Sequence, residues 1–282
     1  MKTTLLLLLA SAGVTSAFVP RVGSSLLRPR RSSSSLKMSI AVFGATGGTG
    51  GEVAFQALKN GQEVTCLCRD PTTLTVPEGS GGSEAGLPLR GVTNVVKGSV
   101  TNQADVDKVF EGQDVEGVVV ALGGKTKDVG PTMLTDGTSC IINACKKYGV
   151  KRIAVVTSIG VGDSKDQAPF AFKILMATVM SSIFKDKNAQ EELFAAGGPG
   201  ADLDYCLVRP GGLTLEKPNG QINIIDGEAG SISRADVADF CLGAITQEDF
   251  PYLGKKPCLS SSAGTSWVKD RSAKTQGDRA SK

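Results

Sequence analysis

Ser39-Ile40-Ala41-Val42-Phe43-Gly44-Ala45-Thr46-Gly47-Gly48-Thr49-Gly50-Gly51 is the stretch whose reading decides the fold. A short run suited to a buried strand meets glycines at 44, 47 and 50, and an amphipathic segment follows. The pattern is a strand, a tight turn and a helix start. Glycines let a backbone approach a dinucleotide diphosphate, and the first turn of a helix offers it free N–H groups and the positive end of a dipole. The spacing is Gly-x-x-Gly-x-x-Gly rather than the commoner Gly-x-Gly-x-x-Gly. Glycines alone mark many ordinary turns. The flanking strand and helix give these their meaning.

Glu52 to Asn60 reads as a helix with Val53, Ala57 and Leu58 inward and Gly61 as its stop. Glu63 to Arg69 is a second strand, so about thirty residues complete a β-α-β unit. The residue that ends this strand discriminates between cofactors. An acid there suits the ribose 2′-hydroxyl of NAD, and an arginine suits a 2′-phosphate, which a guanidinium matches bidentately. Here it is Arg69, so NADPH is the expected cofactor; the ordinary alternative is a surface arginine paired with Asp70.

Residues 71–92, rich in Pro, Gly and Ser, read as a loop too polar to pack. A third strand over Thr93–Lys97 precedes a helix capped by Thr101 or Asn102 and running through Val106 and Val109 to Phe110. Val115–Leu122 is a continuous apolar run, as a central parallel strand requires. Gly123 and Gly124 at its end leave room for a cofactor, and Lys125 and Lys127 are either solvated or within reach of phosphate. A helix over 132–148 leads to a strand at Arg152–Thr157. The hydroxyl pair Thr157–Ser158 is expected to face the ligand, because ligands in open α/β sheets lie over the carboxyl ends of the strands. Pro169–Ala196 is mostly helical; its apolar part holds Lys173 and is too short for a membrane span. Leu203–Arg209 is a sixth strand, which Pro210-Gly211-Gly212 ends at the same rim. A small strand lies near Gln221–Ile225, Ser233 caps a helix over 234–245, and residues 261–282 read as a disordered tail. The fold class is α/β, a doubly wound parallel sheet of the Rossmann type, in one domain over residues 39–260.

The chain has 282 residues, 40% hydrophobic and 21% charged, which is ordinary globular composition. Its formal charge of +3 is misleading. Lys2, Arg21, Arg28, Arg30, Arg31 and Lys37 lie in a leader without acids; setting these six aside leaves 25 basic against 28 acidic side chains. That balance gives no basic surface for nucleic acid. Within the leader, the apolar run Leu5–Ala10 and the small residues Thr15-Ser16-Ala17 read as a signal peptide over residues 1–17. The Arg- and Ser-rich residues 18–38 are like a transit peptide. Together they resemble the bipartite presequences of algae with secondary, red-lineage plastids; plain secretion is the alternative. Seven scattered cysteines suit buried thiols in a reducing compartment, not a disulfide framework. With no histidine in the chain, neither a zinc site nor a histidine base is expected, and no metal is assigned.

Several further stretches, taken in order with the glycine turn, carry a family resemblance. They are Cys68-Arg69-Asp70-Pro71, Ala104–Phe110 with Gly112-Gln113-Asp114, Val120–Gly123, Thr157-Ser158, Val208-Arg209-Pro210 and Ile232–Val237. The chain resembles the atypical short-chain dehydrogenases, most of all the biliverdin reductase B/flavin reductase branch, and more broadly NmrA-like proteins. The resemblance implies a seven-stranded Rossmann fold, NADPH, and hydride transfer to a flavin-like or tetrapyrrole-like small molecule. It implies that Gly44, Ala45, Thr46, Gly47, Gly48, Thr49 and Gly50 hold the diphosphate and Arg69 the 2′-phosphate. Ser99 and Val100 fall on the adenine side, Leu122, Gly123, Thr157 and Pro210 around the ribose and nicotinamide, and Ser158 at the catalytic position. Two departures stand out. The substrate-pocket histidine of the reductases is replaced by Gly211, and the Tyr-x-x-x-Lys of ordinary short-chain dehydrogenases reads Ile183 to Lys187. Lys187 is therefore either an electrophile or an ordinary solvated helix lysine beside Glu191. An NADPH-binding sensor or scaffold without turnover is the rival function. The sequence leaves the oligomeric state open.

Overall fold

A computed structural model describes residues 37–124, 130–178, 180–225, 230–261 and 275–276. The leader, Lys125, Lys127 and most of the tail lie outside the described residues. Six strands, β1 (Ser39–Phe43), β2 (Glu63–Cys68), β3 (Asn94–Lys97), β4 (Val115–Val120), β5 (Arg152–Val156) and β6 (Asp204–Pro210), form a parallel sheet in the order β3-β2-β1-β4-β5-β6. β7 (Gly212–Thr214) and β9 (Ser231–Ser233) pair in parallel apart from it. Beyond β6 the main sheet continues through β10 (Cys258–Ser260), again parallel, then through β8 (Asn223–Ile225), antiparallel to β10, and β11 (Thr275–Gln276), antiparallel to β8. The run from β3 to β10, seven strands paired in parallel within this nine-stranded sheet, matches the number the resemblance implies. The order reverses between β1 and β4, which opens a crevice at the carboxyl ends of these strands.

Alternation along each strand divides the core into two layers. Ile40 and Val42 pack with Val53, Ala54 and Ala57 of α1 (Gly48–Lys59) and with Val237, Phe240 and Cys241 of α7 (Arg234–Thr246). Ala41 and Phe43 face the other way, onto Val106 and Phe110 of α3 (Gln103–Phe110) and Ile141 and Ile142 of α4 (Met133–Tyr148). Val118, Val119 and Val120 of β4 have no exposed surface, as a strand covered on both faces requires. The cysteines are free, and burial raises the thiols, that of Cys145 to about 12.

Three expectations need correction. Residues 71–92 do pack: Leu74 and Val76 are buried, and main-chain bonds from Val76 to Leu87 and from Leu89 to Leu74 fold the segment back on itself. Its one regular helix, α2 (Glu78–Gly81), is clasped to α1, because Glu52 accepts from the Ser80 amide at 3.1 Å and Gln56 donates to the Ser80 hydroxyl. The glycines that suggested looseness allow this close approach; a Cβ on Gly79 would meet the Glu52 carboxylate. α1 starts at Gly48 rather than Glu52, through four residues of poor helix propensity that the turn before them sets in place. β4 stops at Val120, two residues short of Leu122. The mostly helical stretch after Pro169 holds two helices, α5 (Phe170–Ala177) and α6 (Ser181–Glu192).

Candidate functional site

The three spaced glycines do three different things. Gly44 has φ +93°, and a Cβ there would run into the Ala121 carbonyl, so the turn out of β1 is too tight for any other residue. A Cβ on Gly50 would run into the Gly44 carbonyl, so this glycine lets α1 seat against the turn. At Gly47 a Cβ would touch only the Gly44 oxygen, at 3.3 Å, and the residue is otherwise open to solvent. Thr46, Gly47 and Gly48 form an exposed tip, while Ala45, Thr49 and Gly50 are turned inward. The helix has no side-chain cap and no acid in its first turn. Its first amides and the positive end of its dipole therefore face the groove unopposed, an arrangement that suits a diphosphate. That groove has a volume of about 370 Å³, with Pro77 and Glu78 of the 71–92 segment, Leu215 and Arg234 opposite the turn.

Arg69, just past the end of β2, is exposed and makes no hydrogen bond or ion pair among the described residues. Pairing with Asp70 is ruled out by what Asp70 does instead: its carboxylate accepts from the Thr72 amide at 3.0 Å and the Thr72 hydroxyl at 2.7 Å. Those bonds, with a smaller contribution from the charge of Lys97, hold its carboxyl below the usual range. After β3, the amide of Ser99 is fixed by Asp105 at 3.1 Å, and the Ser99 hydroxyl bonds Thr101. Val100 and Leu122 converge over α4, where a Cβ on Gly137 would meet both. Gly123, beyond Leu122, faces open space.

At the ends of β5 and β6 the structure separates the expected hydroxyl pair. Thr157 is buried, and its hydroxyl is taken up by Glu191, to which it donates at 2.7 Å. Ser158 is half-buried and donates to the carbonyl of Ile159 at 3.0 Å, so it keeps its lone pairs for a ligand N–H. Pro210 is buried, with its carbonyl accepting from Ile159, so it joins the two strand ends. Lys187 is not a solvated lysine. It is partly buried on α6 and donates to the Thr157 carbonyl at 3.0 Å, and burial lowers its amine to about 8.

The group that sequence reasoning missed lies beneath this rim. Arg209, 2% exposed, donates to Glu191 through Nε at 3.0 Å and Nη2 at 2.5 Å and meets Asp163 through Nη1 at 2.6 Å. Burial disfavours its charge, but the two carboxylates outweigh that and hold the guanidinium charged. One signal was available: an arginine inside the apolar strand Cys206-Leu207-Val208-Arg209 requires a buried partner.

Solved structures share this architecture, and curated proteins are similar in sequence. An anaerobilin reductase of Escherichia coli O157:H7 superposes with a TM-score of 0.61 at 22% identity, over 81% of this chain and 99% of that one. A short-chain dehydrogenase/reductase of Veillonella parvula in complex with NADP gives 0.61 at 16% identity, over 80% and 96%. An uncharacterized chloroplastic protein of Arabidopsis thaliana is 27% identical over 222 residues, 74% of this chain and 72% of its own length. A UPF0659 protein of Saccharomyces cerevisiae is 26% identical over 216 residues, 74% of this chain and 87% of its own. The likeness that the motifs carried thus holds in the fold and in NAD(P)H-binding. A family model described as NAD(P)H-binding matches residues 44–248, from the glycine turn to just past α7, and the chain belongs to that family.

Proposed function

We propose that the protein is an NADPH-dependent reductase of a flavin-like or tetrapyrrole-like acceptor, acting in a plastid. The observation that carries the choice of cofactor is Arg69, exposed and unpaired at the end of β2 while Asp70 is engaged with Thr72. A guanidinium left without a carboxylate beside a ribose site suits a 2′-phosphate. The main chain from Gly44 to Gly50 would hold the diphosphate, Ser99 and Val100 the adenine side, and Leu122 and Gly123 the ribose and nicotinamide side. The cofactor supplies the hydride. Ser158 then offers a hydrogen-bond acceptor, and Lys187, with one N–H bonded to Thr157, still has two to give. An acceptor and a donor supported by neighbouring residues suit a group that carries N–H beside C=O, which nicotinamide amides, flavins and bilins all present. The segments 158–170 and 211–220 would flank the acceptor, and the proton comes from water. A structural neighbour described as an anaerobilin reductase supports the tetrapyrrole class. The two-part leader and the chloroplastic relative support the plastid.

One observation favours a second reading, an NADPH-binding sensor without turnover. Ile183 and Gly211 stand where related enzymes carry a tyrosine and a histidine, so neither position offers a proton donor. NADPH oxidation by the purified protein with FMN, riboflavin and biliverdin separates the two. Turnover of at least one acceptor is expected; tight NADPH binding with none turned over would leave the sensor. In the same assay Arg69→Ala should weaken NADPH binding by about 10- to 100-fold, the scale of a lost charged hydrogen bond, and leave NADH unchanged. Equal losses for both would remove the 2′-phosphate argument.

A further inference from the structure

Arg234 opens α7, far from the glycine turn in sequence, yet it lies across it in space. A Cβ on Gly48 would come within 2.7 Å of Arg234 Cδ and Nε, so the side chain passes over the first residue of α1. With a glycine at 48 the arginine side chain can lie against the main chain of the turn. Of the acids nearby, Asp236 accepts from Asn219, Gly220 and Ser233, and Glu52 accepts from Ser80 and Gln56; Glu78 lines the same groove but forms no ion pair with Arg234. Arg234 itself makes no hydrogen bond or ion pair among the described residues. A guanidinium thus lies at the positive end of an uncapped helix, where a cation is disfavoured, and no carboxylate among the described residues pairs with it. A dianion between the two would turn that repulsion into attraction on both sides.

We propose that Arg234 is the side-chain arm of the diphosphate cradle, donating to the diphosphate oxygens of the dinucleotide from across the groove. This rests on the dinucleotide reading above, and it divides the labour between two arginines. Arg69 discriminates between NADPH and NADH, whereas Arg234 acts on what the two share. The α1–α7 contact that it lines is itself fixed by Gln56, which donates to the Ala235 carbonyl at 2.9 Å.

The test is affinity, measured by calorimetry for NADP⁺ and NAD⁺ and by NMR titration for 2′-AMP, which lacks the diphosphate. Arg234→Gln should weaken NADP⁺ and NAD⁺ by the same factor, about tenfold or more, and leave 2′-AMP within twofold. Arg234→Lys keeps a charge on an aliphatic stem and should fall between. Unchanged NADP⁺ affinity in Arg234→Gln, in a wild type that binds it, overturns the assignment of Arg234 alone. An equal loss of 2′-AMP overturns it too, since the damage would then be to the fold. A wild type that binds neither dinucleotide overturns the cofactor reading, and Arg234 with it.

Discussion

Lys187 is an ammonium group held in a partly buried position by one hydrogen bond to a main-chain carbonyl. Desolvation lowers its amine to about 8; Glu191 and Asp186 on its own helix pull the other way and do not prevail. The reason is visible in their partners. Glu191 is taken up by Thr157 and Arg209, with Lys256 at 3.8 Å, and Asp186 by α4. From β5 the group that faces Lys187 is the Thr157 carbonyl, which carries no charge to balance it. Heteronuclear NMR of the lysine side chains should therefore show Lys187 titrating near pH 8, well below the usual value near 10.4. A folded-state value lowered in this way means that the folded protein holds the proton less tightly than the unfolded chain does. Stability is then lowest where Lys187 is charged, below about pH 8, and rises as the pH climbs from there towards 10.5. Lys187→Met should lose that rise in urea titrations. A variant with the same pH slope as the wild type would show that the amine is not buried in solution.

Asp186, one residue earlier, works at the level of whole helices. Thr132, at the N-terminus of α4, bonds Asp136 with its hydroxyl and gives the helix no side-chain cap. Asp186 supplies one from α6: it accepts from the amides of Leu134 at 2.8 Å and Thr135 at 3.0 Å and from the Thr135 hydroxyl at 2.6 Å. Asp186→Ala would leave two first-turn amides without a partner at a buried site and should cost about 1–3 kcal/mol in denaturant unfolding. Asp186→Asn, which can cap but carries no charge, should cost less. A loss below 0.5 kcal/mol in the alanine variant, a size typical of surface changes, would mean that water replaces the cap. Such a cap explains what the sequence could and could not tell. The caps at Asn102 and Ser233 are local, within three residues of the amides they serve, and were readable. A cap delivered from fifty residues away leaves no local trace, and neither does the clasp from Glu52 to Ser80 that turns an apparent loop into packed structure.

Across the whole molecule, the parallel sheet was readable because its central strands have nearly continuous apolar runs and most crossovers a periodic helix; the crossover from β2 to β3, which reads as a loop, is the exception. Which rim side chains are taken up by other residues was not readable, because the partner of Thr157 is Glu191, which with Arg209 arrives from other elements. The sheet sets the length of the ligand. Arg69 follows β2 and Ser158 follows β5, and the order β2-β1-β4-β5 puts three inter-strand spacings between those strands, about 14 Å. That span is on the scale of an extended dinucleotide, with the glycine turn of β1 beneath its middle. A ligand held at both ends and at the centre joins the β1–β3 half of the sheet to the β4–β6 half, so binding should stabilise the molecule as a unit. By mass action, NADP⁺ at 100 times its Kd adds about 2.7 kcal/mol. For a protein of this size that is a rise in Tm of about 5–10 °C. Equal concentrations of 2′-AMP and nicotinamide mononucleotide together offer the same end groups without the link, and they forgo the effective concentration that linkage provides. Thermal melts should show a small fraction of the NADP⁺ shift for the pair. A pair that matches NADP⁺ would mean that the two halves bind independently and that the glycine turn contributes nothing as a bridge.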